Sequence, residues 1–302
     1  MKKLRKIFVS AAGINIGGGF VLFESLMSSL SKYEFHVLLD FRLSETYRHL
    51  VETGAATVIN RSFAHRIISK SNLSRRLSKD DLLFCFNSLP PLRRSKGYVV
   101  TYVHSPQSVG LHKSSNYVLK DRLRFVIERL WFRLGSKNSD VFWVQTESMK
   151  RLLLEQFKGV QVEIVPFVDN KLFGLYKPDI AACKTTEKEN YSFFYPASYI
   201  GHKNHRVLVE AFKALEDRGK NVKLLLTIPS SSFEDLTKRI KMGNVVNCGV
   251  LDRDSVLQEM KSCSALVFPS KAETFGIPLL EAEALKLPII ASELDFVRDV
   301  CC

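Results

Sequence analysis

Short apolar runs rich in Val, Ile, Leu and Phe recur along this chain, and the stretches between them place apolar residues three and four apart. The runs predict strands and the stretches predict amphipathic helices. In the first half the predicted strands are 6–11, 35–39, 56–59, 81–86, 98–103, 141–145 and 162–166. Helices are expected over 20–30, with apolar positions at 22, 23, 26, 27 and 30, and over 45–52, 61–79, 117–134 and 147–157. Residues 167–190 sustain no period and end in Cys183-Lys-Thr-Thr-Glu-Lys-Glu-Asn190, the composition of a linker. Beyond it, strands are predicted at 193–196, 222–227, 245–248, 265–268 and 288–291. Helices are predicted from the 197–205 loop to Arg218, then over 232–241, 254–262 and 275–286, with another begun at the end of the chain. Strand and helix alternate throughout, so the pattern predicts two α/β domains, 1–166 and 191–302. Each should be a mainly parallel sheet with helices on both faces, the two facing a cleft.

The length of 302 residues allows two cores. No segment approaches ~20 uninterrupted apolar residues, so no membrane span is expected. The basic start, Met1-Lys-Lys-Leu-Arg-Lys6, resembles the head of a signal peptide, but the apolar run behind it is broken by Gly13, Asn15 and Gly17-Gly18-Gly19. Strand and loop are the better reading. Six cysteines, at 85, 183, 248, 263, 301 and 302, fit no zinc or disulfide spacing. They suit buried thiols in a reducing cytoplasm. Charge adds more. Residues 1–166 carry 26 Lys and Arg against 13 Asp and Glu, while 167–302 carry 18 of each, so the whole net +13 belongs to the first half. Such asymmetry calls for an anionic partner: a membrane surface, a nucleic acid or a phosphorylated acceptor. The stretch Arg61–Lys79 interleaves Arg61, Arg66, Lys70, Arg75, Arg76 and Lys79 with Phe63, Ile67, Ile68, Leu73 and Leu77. This spacing fits either a helix lying on anionic lipid or a solvated helix packed on its own sheet.

The richest chemistry lies between Phe268 and Ser292, a predicted strand, loop, helix and strand. Thr274 is the expected N-cap, leaving the backbone N–H groups of Phe275 and Gly276 at the positive end of the helix dipole. A helix opening beside a strand's carboxyl end is a seat for a diphosphate. Glu281 falls roughly 7 Å along that helix, within reach of ribose hydroxyls, while Glu273 faces the group beyond the phosphates. The bland alternative is an ordinary βαβ crossover with surface glutamates.

Glu273, Phe275, Gly276, Pro278 and Glu281 together resemble the signature of retaining glycosyltransferases with two Rossmann-like domains, the GT-B fold of the large group 1 family that includes sucrose synthases and bacterial polysaccharide mannosyltransferases. The resemblance covers nearly the whole chain. It implies that Glu273 holds donor-sugar hydroxyls and Glu281 the ribose. Gly17, Gly18 and Gly19, which alone could be only a tight turn, would border the donor phosphates or the acceptor. His104, at the end of strand 98–103, would contact the sugar or its developing charge. Lys203, near the start of a helix, would face the diphosphate. Family members usually pair an Arg with that Lys, and here Ser198 stands at the aligned position. The segment Ile164–Phe173 resembles the family's crossing segment. Resembling proteins continue beyond the equivalent of residue 302, so the C-terminal end of the fold is expected to be incomplete.

These observations lead to an expected reaction: a hexosyl group moved from a nucleotide-diphosphate sugar to a glycan or lipid-diphosphate-linked acceptor, with retention, in cell-surface polysaccharide synthesis. The donor is a substrate and no separate cofactor is expected. His202 and His205 lack a third ligand at suitable spacing, so no metal site is expected. No nucleic-acid motif accompanies the basic half. The expected place is the cytoplasm, peripheral on the cytoplasmic face of the inner membrane, with the basic first domain docked on anionic lipid through Arg66, Lys70, Arg75 and Arg76 of the 61–79 stretch. The alternative is a non-catalytic sugar-nucleotide or glycan-binding subunit, which Ser198 and the short end would suit.

Overall fold

A computed structural model describes residues 5–15, 17–105, 109, 119–167, 174–175, 191–238, 240 and 242–301. The chain divides into two compact units, Met1–Asp169 and Asn170–Cys302. The expected linker, 167–190, lies almost wholly outside the described residues.

In the first unit seven parallel strands lie in the order β3-β2-β1-β4-β5-β6-β7. They are β1 (Ile7–Ser10), β2 (Phe35–Asp40), β3 (Ala56–Ile59), β4 (Leu82–Cys85), β5 (Tyr98–Tyr102), β6 (Val141–Val144) and β7 (Val162–Ile164). Consecutive residues of these strands are buried instead of alternating, as in Ser10 and Val9 or Val99 and Val100. Both faces of the sheet are therefore covered, the arrangement that parallel crossovers enforce. The helices between them are α1 (Gly17–Leu30), α2 (Arg48–Glu52), α3 (Phe63–Arg76), α4 (Leu119–Gly135) and α5 (Glu147–Gln156). Ser62 and Thr146 cap α3 and α5, their hydroxyls accepting from the N–H groups of His65 and Met149.

Two helix starts differ from expectation. The three glycines are not a loop before α1 but its first turn, entered through Gly17 at φ +67°. The helix expected at 45–52 is replaced by a 3-10 turn, Phe41–Leu43, and the short α2. The cause lies at the end of β2. The Asp40 carboxylate caps the 3-10 turn by accepting from the Arg42 N–H, which bends the chain there.

The basic helix also differs. Arg66, Lys70, Leu73 and Leu77 follow one another at four, three and four residues, so they share one face, and that face packs inward. Leu73 and Leu77 join Leu38, Ile59, Leu83, Cys85 and Val99 in the core. Lys70 is only 2% exposed; its ammonium donates to Asn87 Oδ1 at 2.8 Å and the Leu89 carbonyl at 2.6 Å, above the Trp131 ring. Burial holds its pKa below that of a free lysine. Arg66 turns toward Asp40, at 3.7 Å. Two of the expected lipid-facing cations are therefore structural, while Arg75 and Arg76 stay exposed.

The second unit has five parallel strands in the order β10-β9-β8-β11-β12. They are β8 (Tyr191–Tyr195), β9 (Val222–Leu226), β10 (Val245–Asn247), β11 (Ala265–Phe268) and β12 (Ile289–Ala291). The helices are α6 (His205–Asp217), α7 (Ser230–Thr237), α8 (Arg253–Ser262), α9 (Ile277–Ala284) and α10 (Asp295–Arg298). Among the described residues no helix is long and apolar enough to cross a membrane.

Asp40 is the keystone of the first sheet's mouth. Fully buried, it accepts from the Gly13 N–H at 2.8 Å and from Arg42 Nε at 2.7 Å and Nη2 at 3.1 Å. Burial opposes its ionisation, but these hydrogen bonds outweigh it and hold the carboxyl below its usual range. Asp40→Ala should cost about 3 kcal/mol in chemical unfolding at neutral pH. A folded-state pKa below the unfolded one gives stability that is present above the usual carboxylate range and lost in acid. The deficit should therefore shrink as pH falls below that range.

Candidate functional site

In a doubly wound sheet, ligands gather beyond the carboxyl ends of the strands where the winding reverses. In the second unit that point lies between β8 and β11: β9 and β10 extend one side of β8, and β11 and β12 the other. The loops leaving these two neighbours, 196–204 and 269–276, carry the residues singled out in the sequence.

The two loops are stapled together. Tyr195, the last residue of β8, is fully buried, and its hydroxyl donates to the Lys203 carbonyl at 2.7 Å. Its single proton is thereby used, so Ser270 is the donor in the 2.9 Å contact between the hydroxyls. The Lys271 N–H donates to the His202 carbonyl at 2.8 Å, and the Asn204 amide to the Pro269 carbonyl at 3.4 Å. A 3-10 turn, Gly201–Lys203, ends at Asn204 in the left-handed conformation and delivers Lys203 across to the other loop. There its ammonium pairs with the Glu273 carboxylate. Their side chains are 17% and 14% exposed. Two residues 70 positions apart are thus in direct contact. Ser198 lies in the same loop, exposed, its carbonyl accepting from the Ile200 N–H.

Thr274 is not the cap expected of it. Helix α9 starts at Ile277 with Gly276 as N-cap at φ +74°, and no side chain caps it. Pro278 favours a first-turn position, where its missing N–H is no loss, and the left-handed glycine turns the chain into the helix. The Phe275 and Gly276 N–H groups therefore precede the helix instead of lying in its first turn. Thr274 and Phe275, within the loop, are themselves buried. A Cβ at position 276 would lie 2.9 Å from Leu279 Cδ1, so a side chain there would strain the left-handed backbone and force Leu279 to shift.

Glu281 sits in the second turn of α9, 3% exposed. Its Oε1 accepts from Arg253 Nε at 3.0 Å, with Nη2 also at 3.0 Å. Arg253 opens α8, whose N-cap is Asp252. The sequence reading missed Arg253. Its signal was an Arg directly behind a capping Asp, at the start of the helix that follows β10.

His205 lies under the same loops, its ring tilted against that of Tyr195 with centroids 4.9 Å apart. Its Nε2 donates to the Ala197 carbonyl at 3.1 Å, while Nδ1 is buried without a hydrogen-bond partner. Among the described residues no three His, Cys, Asp or Glu side chains converge as metal ligands would.

The first unit reverses its winding between β1 and β4. The loop after β1 is tied to the one after β4 by Asn87, whose amide donates to the Ala12 carbonyl at 3.1 Å. His104, just beyond β5, donates from Nε2 to the Phe86 carbonyl at 2.7 Å, and its backbone N–H donates to Ser88 Oγ at 3.0 Å. A Cβ on Gly19 would come within 3.4 Å of His104 Cε1, so the glycine turn and the imidazole are neighbours. Gly17 and Gly18 stand exposed at the same helix start. Burial lowers the His104 pKa, favouring neutral imidazole.

Comparison with known proteins places these features in a family context. Residues 177–302 match the family model described as "Glycosyl transferases group 1". An uncharacterised glycosyltransferase of Methanocaldococcus jannaschii is 24% identical over 94% of this chain and 78% of its own length. The capsular polysaccharide biosynthesis glycosyltransferase CapM of Staphylococcus aureus is 28% identical over 45% of this chain and 35% of its own. Among solved structures, Anabaena HepE in complex with UDP and glucose superposes with a TM-score of 0.66 at 13% identity, over 97% of this chain and 82% of that one. WaaG, a glycosyltransferase involved in lipopolysaccharide biosynthesis, superposes with a TM-score of 0.63 at 16% identity, over 95% and 81%. The chain therefore resembles group 1 glycosyltransferases, and its fold is GT-B, with two Rossmann-like units.

The buried His205 gives the second unit a pH signature. Burial first, opposed by the bond to Ala197, pushes its pKa down from 6.5 to about 4. The unfolded chain then binds the proton more readily, so stability falls as pH drops from 6.5 toward 4, by on the order of 3 kcal/mol. His205→Gln keeps a donor for Ala197 and should remove that slope in unfolding titrations across the same window. An unchanged slope would place the titration elsewhere.

Proposed function

We propose that this chain transfers a hexosyl group from a nucleotide-diphosphate sugar to a glycan or lipid-diphosphate-linked acceptor, and that the second unit holds the donor. The pairing of Lys203 with Glu273 at the winding reversal of the second sheet is the observation that carries this reading. A cation and a carboxylate held together by two stapled loops match the two demands of such a donor, which has an anionic diphosphate on one side of the scissile bond and a polyhydroxylated sugar on the other.

As the glycosyl–oxygen bond breaks, negative charge grows on the departing diphosphate. Lys203 supplies a mobile positive charge to it, and the N–H groups of Phe275 and Gly276 add fixed dipoles. Glu273, released from part of its pairing, accepts from sugar hydroxyls. Glu281 accepts from the ribose while Arg253 holds the carboxylate in place, which makes Arg253 a positioning residue. In the first unit His104, beside the exposed glycines 17 and 18, contacts the sugar or its developing charge. Retention at the anomeric carbon follows from the family resemblance, not from the geometry. The capsular polysaccharide role in the name of the Staphylococcus aureus relative supports a place in cell-surface polysaccharide synthesis, at the cytoplasmic face of a membrane. Ser198, standing where an Arg is usual, favours one rival: a subunit that binds sugar nucleotide without turning it over.

A thermal-shift panel of nucleotide sugars identifies the donor, since one present at 100 times its Kd adds about 2.7 kcal/mol to folding stability. With that donor, Lys203→Ala should lower kcat by roughly 10²- to 10³-fold while nucleotide affinity changes little. Glu281→Ala should weaken nucleotide binding by about tenfold or more. Turnover and affinity unchanged in both variants would refute the assignment. Stabilisation by a donor without any product would favour the binding subunit.

A further inference from the structure

Helix α4 has two apolar faces, and among the described residues its own unit covers only one. Phe125, Trp131 and Phe132 point into the first unit, where the Trp131 indole N–H donates to the Pro90 carbonyl at 2.7 Å and Phe63 meets its ring edge-on. On the opposite side Leu123, Val126, Leu130 and Leu134 are 62%, 57%, 57% and 65% exposed, and Ile127 lies beside them at 37%. Spaced three and four apart, these five residues form a continuous arc of about 100° along the helix. Scattered exposed leucines need no explanation, but a stripe of five along one helix does. Solvent exposure of such a stripe is unfavourable, and coverage relieves it.

Charge identifies what covers it. Arg122, Arg129 and Arg133 run in a row along one border of the stripe, and Arg122 and Arg133 are exposed. The unit that carries this helix also holds nearly all of the chain's excess of positive charge. An apolar stripe edged by arginines and lying along the surface matches the interface of an anionic bilayer: the leucines enter the headgroup boundary and the guanidiniums meet lipid phosphates. A second protein would need a complementary acidic rim, whereas α4 itself offers a basic one to any second copy of this chain. We infer that the exposed face of α4, and not the basic stretch of α3, is a docking surface for an anionic lipid membrane. The inward turn of Arg66 and Lys70 in α3 is consistent with this assignment. Docking of this kind needs no donor and no chemistry, so its test is independent of the transferase assays.

The test is cosedimentation of the full chain with phosphatidylcholine vesicles, with and without phosphatidylglycerol, at low and high salt. Binding should be about tenfold or more tighter with phosphatidylglycerol and should weaken as salt screens the arginines. Leu130→Gln with Leu134→Gln should lower it by about tenfold or more, because two side chains no longer gain by leaving water. Arg122→Gln with Arg133→Gln should reduce the preference for phosphatidylglycerol, whereas Arg75→Gln with Arg76→Gln, on α3, should leave it nearly intact. All these side chains are exposed, so thermal unfolding of the variants should match the parent chain and a lost interaction cannot be misread as misfolding. Equal binding to neutral and anionic vesicles would overturn the proposal. So would binding that ignores the α4 variants. A concentration-dependent dimer in velocity sedimentation, abolished by the leucine variant in a chain that ignores vesicles, would assign the stripe to self-association instead.

Discussion

The second unit depends on one buried hydroxyl. Parallel strands deliver their carboxyl ends to one edge of the sheet, but where the winding reverses, the following segments leave toward opposite faces. Left alone, the loops after β8 and β11 would diverge. Tyr195 prevents this from beneath: its oxygen donates to the Lys203 carbonyl and accepts from Ser270, so one atom holds both loops. The hydroxyl is buried, and burial drives its pKa far upward, so it remains a neutral donor at any ordinary pH. The contacts between Lys271 and His202 and between Asn204 and Pro269 then fix the loops' register. That scaffold holds together the two loops that bring Lys203 and Glu273 into contact.

That meeting has a specific energetic character. A pair this enclosed loses much of its hydration, and its Coulomb attraction offsets the loss without a large net gain. Such a pair can be exchanged more readily than it can be broken. An incoming diphosphate offers the ammonium another anion, and sugar hydroxyls offer the carboxylate other donors, so neither group need be left bare. A lysine suits this exchange better than an arginine would. Its point charge sits on a flexible stem and swings between partners, while a guanidinium fork would lock onto the carboxylate in two places. Glu281 shows the contrast: it is held by an arginine, and its place is fixed.

The sequence disclosed these features unevenly, for physical reasons. Strand positions were legible because buried parallel strands are continuous apolar runs, and all twelve lie within a few residues of expectation. Glu273 and Lys203 were legible as candidates, but not as partners, because contact between residues in different loops depends on the order of strands in the sheet. Thr274 misled because a capping residue type is only a local preference; Gly276, with φ positive, and Pro278 together overrode it. Arg253 was invisible for a similar reason, since nothing in the period of α8 says that its first side chain will reach α9. In α3 the alternation of basic and apolar residues was real. The error lay in assuming that lysine and arginine mark the wet face, when Lys70 finds an amide and a carbonyl in the interior.

The same point changes how the net charge should be read. A total of +13 says only that an anion is welcome, and gives no location. Removing the cations that the fold has already engaged narrows the choice. Lys70 is buried, Arg42 and Arg66 face Asp40, and Arg94 pairs with Asp140. Among the exposed cations, Arg122 and Arg133 on α4 differ from Arg75 and Arg76 on α3 in one respect. They border an apolar stripe, whereas Arg75 and Arg76 have only Ile68 as an exposed large apolar side chain on their helix. Charge without apolar surface gives weak, salt-sensitive attraction, and apolar surface without charge gives attachment with no preference for lipid type. Of the two helices, only α4 offers both along its length. The helix that the sequence marked as basic serves mainly to hold the first unit together, and the one beside it keeps a face that the described residues leave exposed.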